Sequence, residues 1–361
     1  MNDNSIMDIW EGNTVQEESI MFVPDAVTGE IMPCRLLYPP TRILQVCSAD
    51  HMIQYEENID YEIKDGYIVR LSQGKIPFFH YEEYFLPQPA SIPIESIGSE
   101  GRFVRYEPGG IEYHRRQVRV TYEHNGTWPG EKPRSQLKYL IQTTKKLKEK
   151  EDFHLLFYGD SFMEGCDASG RSGVPPYMPT LDKLVMLYLS EHYEHKKIQL
   201  TNTALGGTTS VWGAENAKER VAKYRPDLVV VRYGMNDSGA DISLEEFEKN
   251  IRNIIETCRR ENARTEFLLL SPDLPNPDCK GWCSLQPYYG SVLKKIAQSM
   301  QGCVSLDMTR IFKEISEVKV CNGIYFFFSD AFNGFYFYPM HYPSAHSETK
   351  SAKSSKYSDS W

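Results

Sequence analysis

Three short segments place a group able to do acyl-transfer chemistry directly after an apolar run. In FHLLFYGDSFMEGCDASG, residues 153 to 170, the run breaks at Gly159, Asp160 and Ser161 and turns small and polar. NTALGGTTS, residues 202 to 210, follows an apolar stretch ending at Leu200, and RYGMNDSG, residues 232 to 239, follows DLVVV. If each run is a buried strand, Ser161 sits where the sheet opens and a helix begins, and backbone N–H groups there can bind developing negative charge. Two further turns then offer the Gly207 N–H and the Asn236 side-chain amide. A hydroxyl nucleophile with several convergent donors suits acyl transfer, because the tetrahedral intermediate carries a full charge on the former carbonyl oxygen.

In their order and register these segments resemble the SGNH hydrolases, or GDSL-type esterases, over roughly residues 150 to 332. The resemblance puts the nucleophile motif on Gly159, Asp160 and Ser161 and the oxyanion glycine on Gly207, within Asn202-x-Ala204-x-x-Gly207-x-Thr209. It puts the oxyanion asparagine on Asn236, within Gly234-Met235-Asn236-Asp237. The contexts PYMPTLDKLV and GGTTSVWG look like the members that deacetylate carbohydrates. The family closes its site with an Asp-x-x-His-Pro histidine, and here the pattern departs. SDAFNGFYFYPMHYPSAHSETK, residues 329 to 350, has no aspartate three positions before His341 or His346. Two readings follow: Asp330 orients His341 as the general base, or both histidines belong to a tail outside the catalytic fold. Composition and periodicity change after Asn333, so the last ~30 residues read as a diverged or frame-shifted ending.

Asp160 and Asp237 flank the proposed site and, with Gly159 and Gly234, read as shaping the turns. Asp307 in SLDMTR reads as a helix N-cap. His154 lies at the far end of its strand from Ser161, and His192 and His195 follow a helix over 181–191, so all three read as structural. There is no zinc-ligand spacing, GxxxxGK loop or GxGxxG, so no metal or cofactor is expected. Cys279 and Cys283 in CKGWC read as ordinary loop thiols.

These groups need a scaffold. After residue 150 apolar strands alternate with helical periodicity. Ser243 and Glu246 form a capping-box pattern, and Leu244, Phe247, Ile251, Ile254, Ile255 and Cys258 follow on one face. Such alternation predicts a parallel sheet in a three-layer α/β/α domain. Residues 20 to 130 read as β, with a tight hairpin at Lys64-Asp65-Gly66 and strands at 41–46 and 117–124. The expected organisation is a β-sandwich over 1–132, a linker helix over 133–150, the hydrolase domain over 151–332 and an atypical tail over 333–361.

A net charge of −9 argues against a nucleic-acid surface. No apolar run approaches a membrane span, the N-terminus carries no secretory pattern, and eight scattered cysteines suit reduced thiols, so a cytoplasmic setting is expected. Together these features predict a serine esterase for small acyl esters, acetyl groups on carbohydrate by resemblance. A lipid or thioester hydrolase is the alternative among enzymes. A carbohydrate-binding protein with a degenerate hydrolase fold is the alternative outside them. Oligomeric state is not legible.

Overall fold

The computed structural model describes residues 12–128, 130–276, 278–280 and 284–319. Its centre is a parallel sheet of five strands: β1 (Phe153–Gly159), β2 (Ile198–Asn202), β3 (Leu228–Arg232), β4 (Glu266–Leu270) and β5 (Cys303–Leu306). The spatial order is β2-β1-β3-β4-β5, every neighbouring pair is parallel, and Arg232 lies opposite Gly159. The chain therefore leaves β1 towards one side and returns to build on the other. The crevice at such a switch point, outside the carboxyl ends of the strands, is where open α/β sheets bind ligands.

Both faces of the sheet are buried, which is why its strands read as continuous apolar runs. Phe153, Leu155, Phe157, Leu228, Val230 and Val304 face one side, with α1 (Ile141–Glu149), α3 (Leu181–His192) and α8 (Met308–Val318) packed there through Leu147, Val185 and Ile311. Leu156, Tyr158, Val229, Val231, Phe267 and Leu269 face the other. That side is covered by α4 (Ser210–Arg220), α6 (Leu244–Glu261) and α7 (Gln286–Ser299). The Ser243 hydroxyl accepts the Glu246 N–H at 3.1 Å, so α6 begins where its local cap directs and buries the expected face.

The stretch 133–150 differs from expectation. Its α-helix is confined to Ile141–Glu149, preceded by a single 3₁₀ turn at Leu137–Tyr139. The first free N–H groups of α1, on Gln142 and Thr143, are accepted by the Glu266 carboxylate at 3.0 and 2.8 Å. The cap comes from β4, more than a hundred residues away, so no local signal could mark this start. The helix is part of the layer covering the sheet.

The N-terminal region consists of small antiparallel sheets, a β-rich arrangement like the one expected. Thr14–Ile20, Val118–His124 and Pro40–Ser48 form the largest, with Val118–His124 in the middle. Tyr61–Lys64 and Tyr67–Arg70 form the predicted hairpin, and Asp65 and Gly66 both take positive φ, at 52° and 81°. That is the turn whose twist matches paired strands. Buried Phe22, Phe79, Tyr84 and Tyr122 share one apolar cluster with Phe153 and Ile311, so the core runs unbroken from this region onto the parallel sheet.

Candidate active site

Gly159 ends β1 against the backbone of β3. A Cβ at this position would lie 2.2 Å from the Arg232 carbonyl oxygen, so no larger residue fits without moving the strands apart. Asp160 follows as the N-cap of α2 (Ser161–Glu164), its Oδ1 accepting the Phe162 N–H at 3.1 Å. Ser161 is then the first helical residue, half-buried, at the carboxyl end of the sheet. Its N–H belongs to the helix's unpaired first turn and is available to a ligand. Gly165 closes the turn at φ 74°, against Thr180.

The loop after β2 is laid across this turn. The Thr203 and Leu205 N–H groups donate to the carbonyls of Phe157 and Gly159, each at 3.0 Å. A Cβ built on Gly206 would stand 3.4 Å from the Ser161 Cβ, which places the loop beside the hydroxyl. The Gly206 N–H is engaged by Glu164 Oε2 at 2.6 Å. Gly207 follows at φ 77° with open space on its side-chain face, and its N–H has no acceptor among the described residues.

Asn236 enters from β3. Gly234, at φ 127°, turns the chain into the short helix α5 (Met235–Gly239). Asn236 Nδ2 donates to the Thr208 carbonyl at 2.9 Å, which fixes the carboxamide next to Gly207 and leaves its second N–H hydrogen for a ligand. Buried Asp237 accepts from the Ser210 N–H and hydroxyl and from the Gly234 N–H at 3.1 Å, so one carboxylate joins the two donor-bearing loops. Burial pushes its pKa up to about 6. The turn carrying Asn236 is thus bonded to the loop carrying Gly207, and that loop lies against the turn carrying Ser161.

Several participants had not been singled out from sequence. Glu164 bridges the Gly206 N–H and Arg171, whose Nη2 lies 2.6 Å away. Burial alone would raise the Glu164 carboxyl, but Arg171 and the Gly206 N–H together hold it below its ordinary value. The neighbouring Cys166 thiol is pushed up to about 12 by burial and by Glu164, so it stays protonated at neutral pH. Arg232 joins Asp160 to Asp273 across the back of the turn. The one available signal was an arginine among the valines of DLVVVRYG, a costly residue for a buried strand.

Loops of the N-terminal region bond to two segments that follow strands of the parallel sheet. The Gly109 N–H donates to Asp167 Oδ1 at 2.9 Å and the Ser172 hydroxyl to the Gly109 carbonyl at 3.0 Å, tying the residues after α2 to the 106–110 turn. Beyond β4, the Ile97 N–H donates to the Asp278 carbonyl at 2.6 Å and the Lys280 N–H to the Glu95 carbonyl at 2.8 Å.

The expected general base cannot be placed, because Asp330 and His341 lie outside the described residues, as does His346. Among the described histidines, His154 bonds Thr201 Oγ1 at 2.8 Å near the amino end of β1, and His192 stacks on Tyr188. His195 is fully buried and accepts the Lys197 N–H at 3.1 Å. Asp307 caps α8 through the Arg310 N–H at 3.0 Å. Cys279 is buried, and Cys283 lies outside the described residues. Among the described residues no group of three or more His, Cys, Asp or Glu side chains is arranged to hold a metal, and no helix is long and apolar enough to cross a membrane.

Residues 157–319 match the model of the GDSL-like lipase/acylhydrolase family. No curated protein matches the chain. Among solved structures, a single-residue variant of Axe2, an acetyl xylan esterase from Geobacillus stearothermophilus, is 19% identical, with a TM-score of 0.36 and 46% of this chain and 80% of that one covered. TesA is 22% identical, with a TM-score of 0.32 and coverages of 40% and 73%. LAE5, an alpha/beta hydrolase enzyme from the metagenome of Lake Arreo, Spain, is 19% identical, with a TM-score of 0.36 and coverages of 45% and 81%.

Proposed function

We propose that this chain, whose residues 157–319 match the model of the GDSL-like lipase/acylhydrolase family, is a serine esterase acting on small acyl esters through an acyl-enzyme. The observation that supports the reading is that the turns carrying Ser161, Gly207 and Asn236 follow three adjacent strands and pack against one another, with the Gly207 N–H unengaged among the described residues. Ser161 Oγ attacks the ester carbonyl as a base removes its proton. The oxyanion is met by the N–H groups of Ser161 and Gly207 and by Asn236 Nδ2. Collapse expels the alcohol, and water activated by the same base releases the acid. His341, oriented by Asp330, is our assignment for that base.

The acyl group is acetyl and the alcohol a carbohydrate in this reading, on the likeness of PYMPTLDKLV and GGTTSVWG to carbohydrate deacetylases. An acidic chain of net charge −9 offers no general attraction for nucleic acid. The thiols of Cys47, Cys166, Cys258 and Cys303 suit a reducing cytoplasm. The test is hydrolysis of p-nitrophenyl acetate by the wild type and by Ser161→Ala. The variant is expected to keep its melting temperature and to lose the activity. Equal turnover by the two would end the assignment of Ser161.

A further inference from the structure

Both neighbours of Ser161 are gripped by one buried side chain from the next strand. Arg232 is 1% exposed, the largest of the fully buried side chains. Its Nη1 donates to Asp160 Oδ1 at 3.0 Å, the same oxygen that accepts the Phe162 N–H. Its guanidinium carbon lies 3.9 Å from the centroid of the Phe162 ring. Its Nη2 donates to Asp273 Oδ2 at 2.7 Å, from the loop after β4, and the Asp273 carbonyl is in turn held by Gln286. Through its backbone, Arg232 also accepts the Asp160 N–H at 3.4 Å and closes over Gly159.

Nothing about the sheet requires this residue. The other positions of β3 are Leu228 and three valines, all buried, and a buried ion pair is generally no more stabilising than apolar side chains of the same volume. What a guanidinium adds is geometry. Its planar fork can address two carboxylates while its face stacks on a ring, whereas a lysine ammonium is a point charge on a flexible stem. Asp273 fixes the far side of the fork, and the near side then fixes Asp160 and Phe162 together. With the residues before and after Ser161 held, the serine's backbone N–H and Cα–Cβ bond are fixed relative to the Gly206 loop beside them.

We propose that Arg232 is the positioning residue of the nucleophile turn, holding Ser161 in register with the oxyanion donors through Asp160 and Phe162 and itself aimed by Asp273. The kinetic part rests on the esterase reading above. The test uses the full chain with Arg232→Lys and Asp273→Asn, which retain the charge of the first residue and the shape of the second, beside Arg232→Met. Two quantities are measured on folded protein: kcat and KM for p-nitrophenyl acetate, and amide hydrogen exchange over residues 159–165 with 244–261 as internal reference. The expected result for Arg232→Lys is a kcat at least ~10-fold lower with KM within about twofold, and exchange in the turn at least ~10-fold faster while α6 is unchanged. Asp273→Asn should move both quantities in the same direction by less.

Exchange in the turn that stays at the wild-type rate in both folded variants overturns the proposal, whatever the kinetics. So does faster exchange with unaltered kcat, because the grip would then not matter to the chemistry. A wild type that hydrolyses no ester sinks the esterase reading alone, and the exchange arm still decides whether Arg232 holds the turn. Arg232→Met is expected to lose folded protein as well, since it leaves Asp160 buried without its partner.

Discussion

Replacing Asn236 by alanine separates catalysis from stability more cleanly than any other change at this site. Among the described residues the side chain makes one bond, from Nδ2 to the Thr208 carbonyl at 2.9 Å, in a half-buried position. Losing a hydrogen bond of that kind costs about 1 kcal/mol, and alanine's better helix propensity within α5 returns a few tenths. For a chain of 361 residues that is a melting-temperature change of roughly 1 °C, so the protein stays folded at 25 °C. The transition state loses more. Removing one oxyanion donor typically lowers kcat by about 10² to 10³, equivalent to roughly 2.7–4 kcal/mol. Steady-state hydrolysis of p-nitrophenyl acetate, run beside thermal unfolding, reads both. The expected pattern is a lowered kcat, a KM within about twofold and a small thermal shift. A raised KM at constant kcat would make Asn236 a ground-state binding residue and refute its assignment to the oxyanion.

Two further predictions concern what supports the site. Gly159→Ala places a methyl group 2.2 Å from a backbone oxygen, which cannot rotate away, so destabilisation of ~3 kcal/mol or more is expected from urea unfolding; a loss under ~1 kcal/mol would mean that β1 and β3 separate easily. The Glu164 carboxyl is held below its ordinary pKa in the folded state, chiefly by Arg171 and the Gly206 N–H acting against its burial. The unfolded chain therefore binds that proton more readily, and the carboxylate's stabilisation is fully present above the ordinary range, near pH ~4.5, and lost as pH falls through the lowered value. The stability gap between wild type and Glu164→Gln should thus be widest near neutrality and close as the pH falls through that lowered value, and a gap that widens on acidification would show the sign to be wrong.

Local signals carried a long way here. The apolar stretches FHLLFYG, LVVV and FLLL marked buried parallel strands, since a sheet covered on both faces needs no alternation. Ser243 and Asp307 marked helix starts because each caps its helix within three residues. The glycines marked turns for distinct reasons: Gly207 and Gly234 adopt positive φ, and Gly159 has no room for a side chain. Ser161, Gly207 and Asn236 could be singled out because strand ends in a parallel sheet all emerge along one edge. What sequence could not yield was anything made by residues distant in the chain. The start of α1 depends on Glu266. The pairing of Glu164 with Gly206, the closure of the two donor loops by Asp237, and the docking of the 106–110 turn on Asp167 exist only once the strands have been ordered. Arg232 is the clearest case. Its type was visible as an oddity in a valine strand, but its partners, Asp160 and Asp273, stand 72 and 41 residues away, and only the adjacency of β1, β3 and β4 brings their charges together. Periodicity and turn chemistry act within a few residues and can be read along the chain, whereas burial and ion pairing depend on which surfaces meet, and that is decided by the packing of the whole fold.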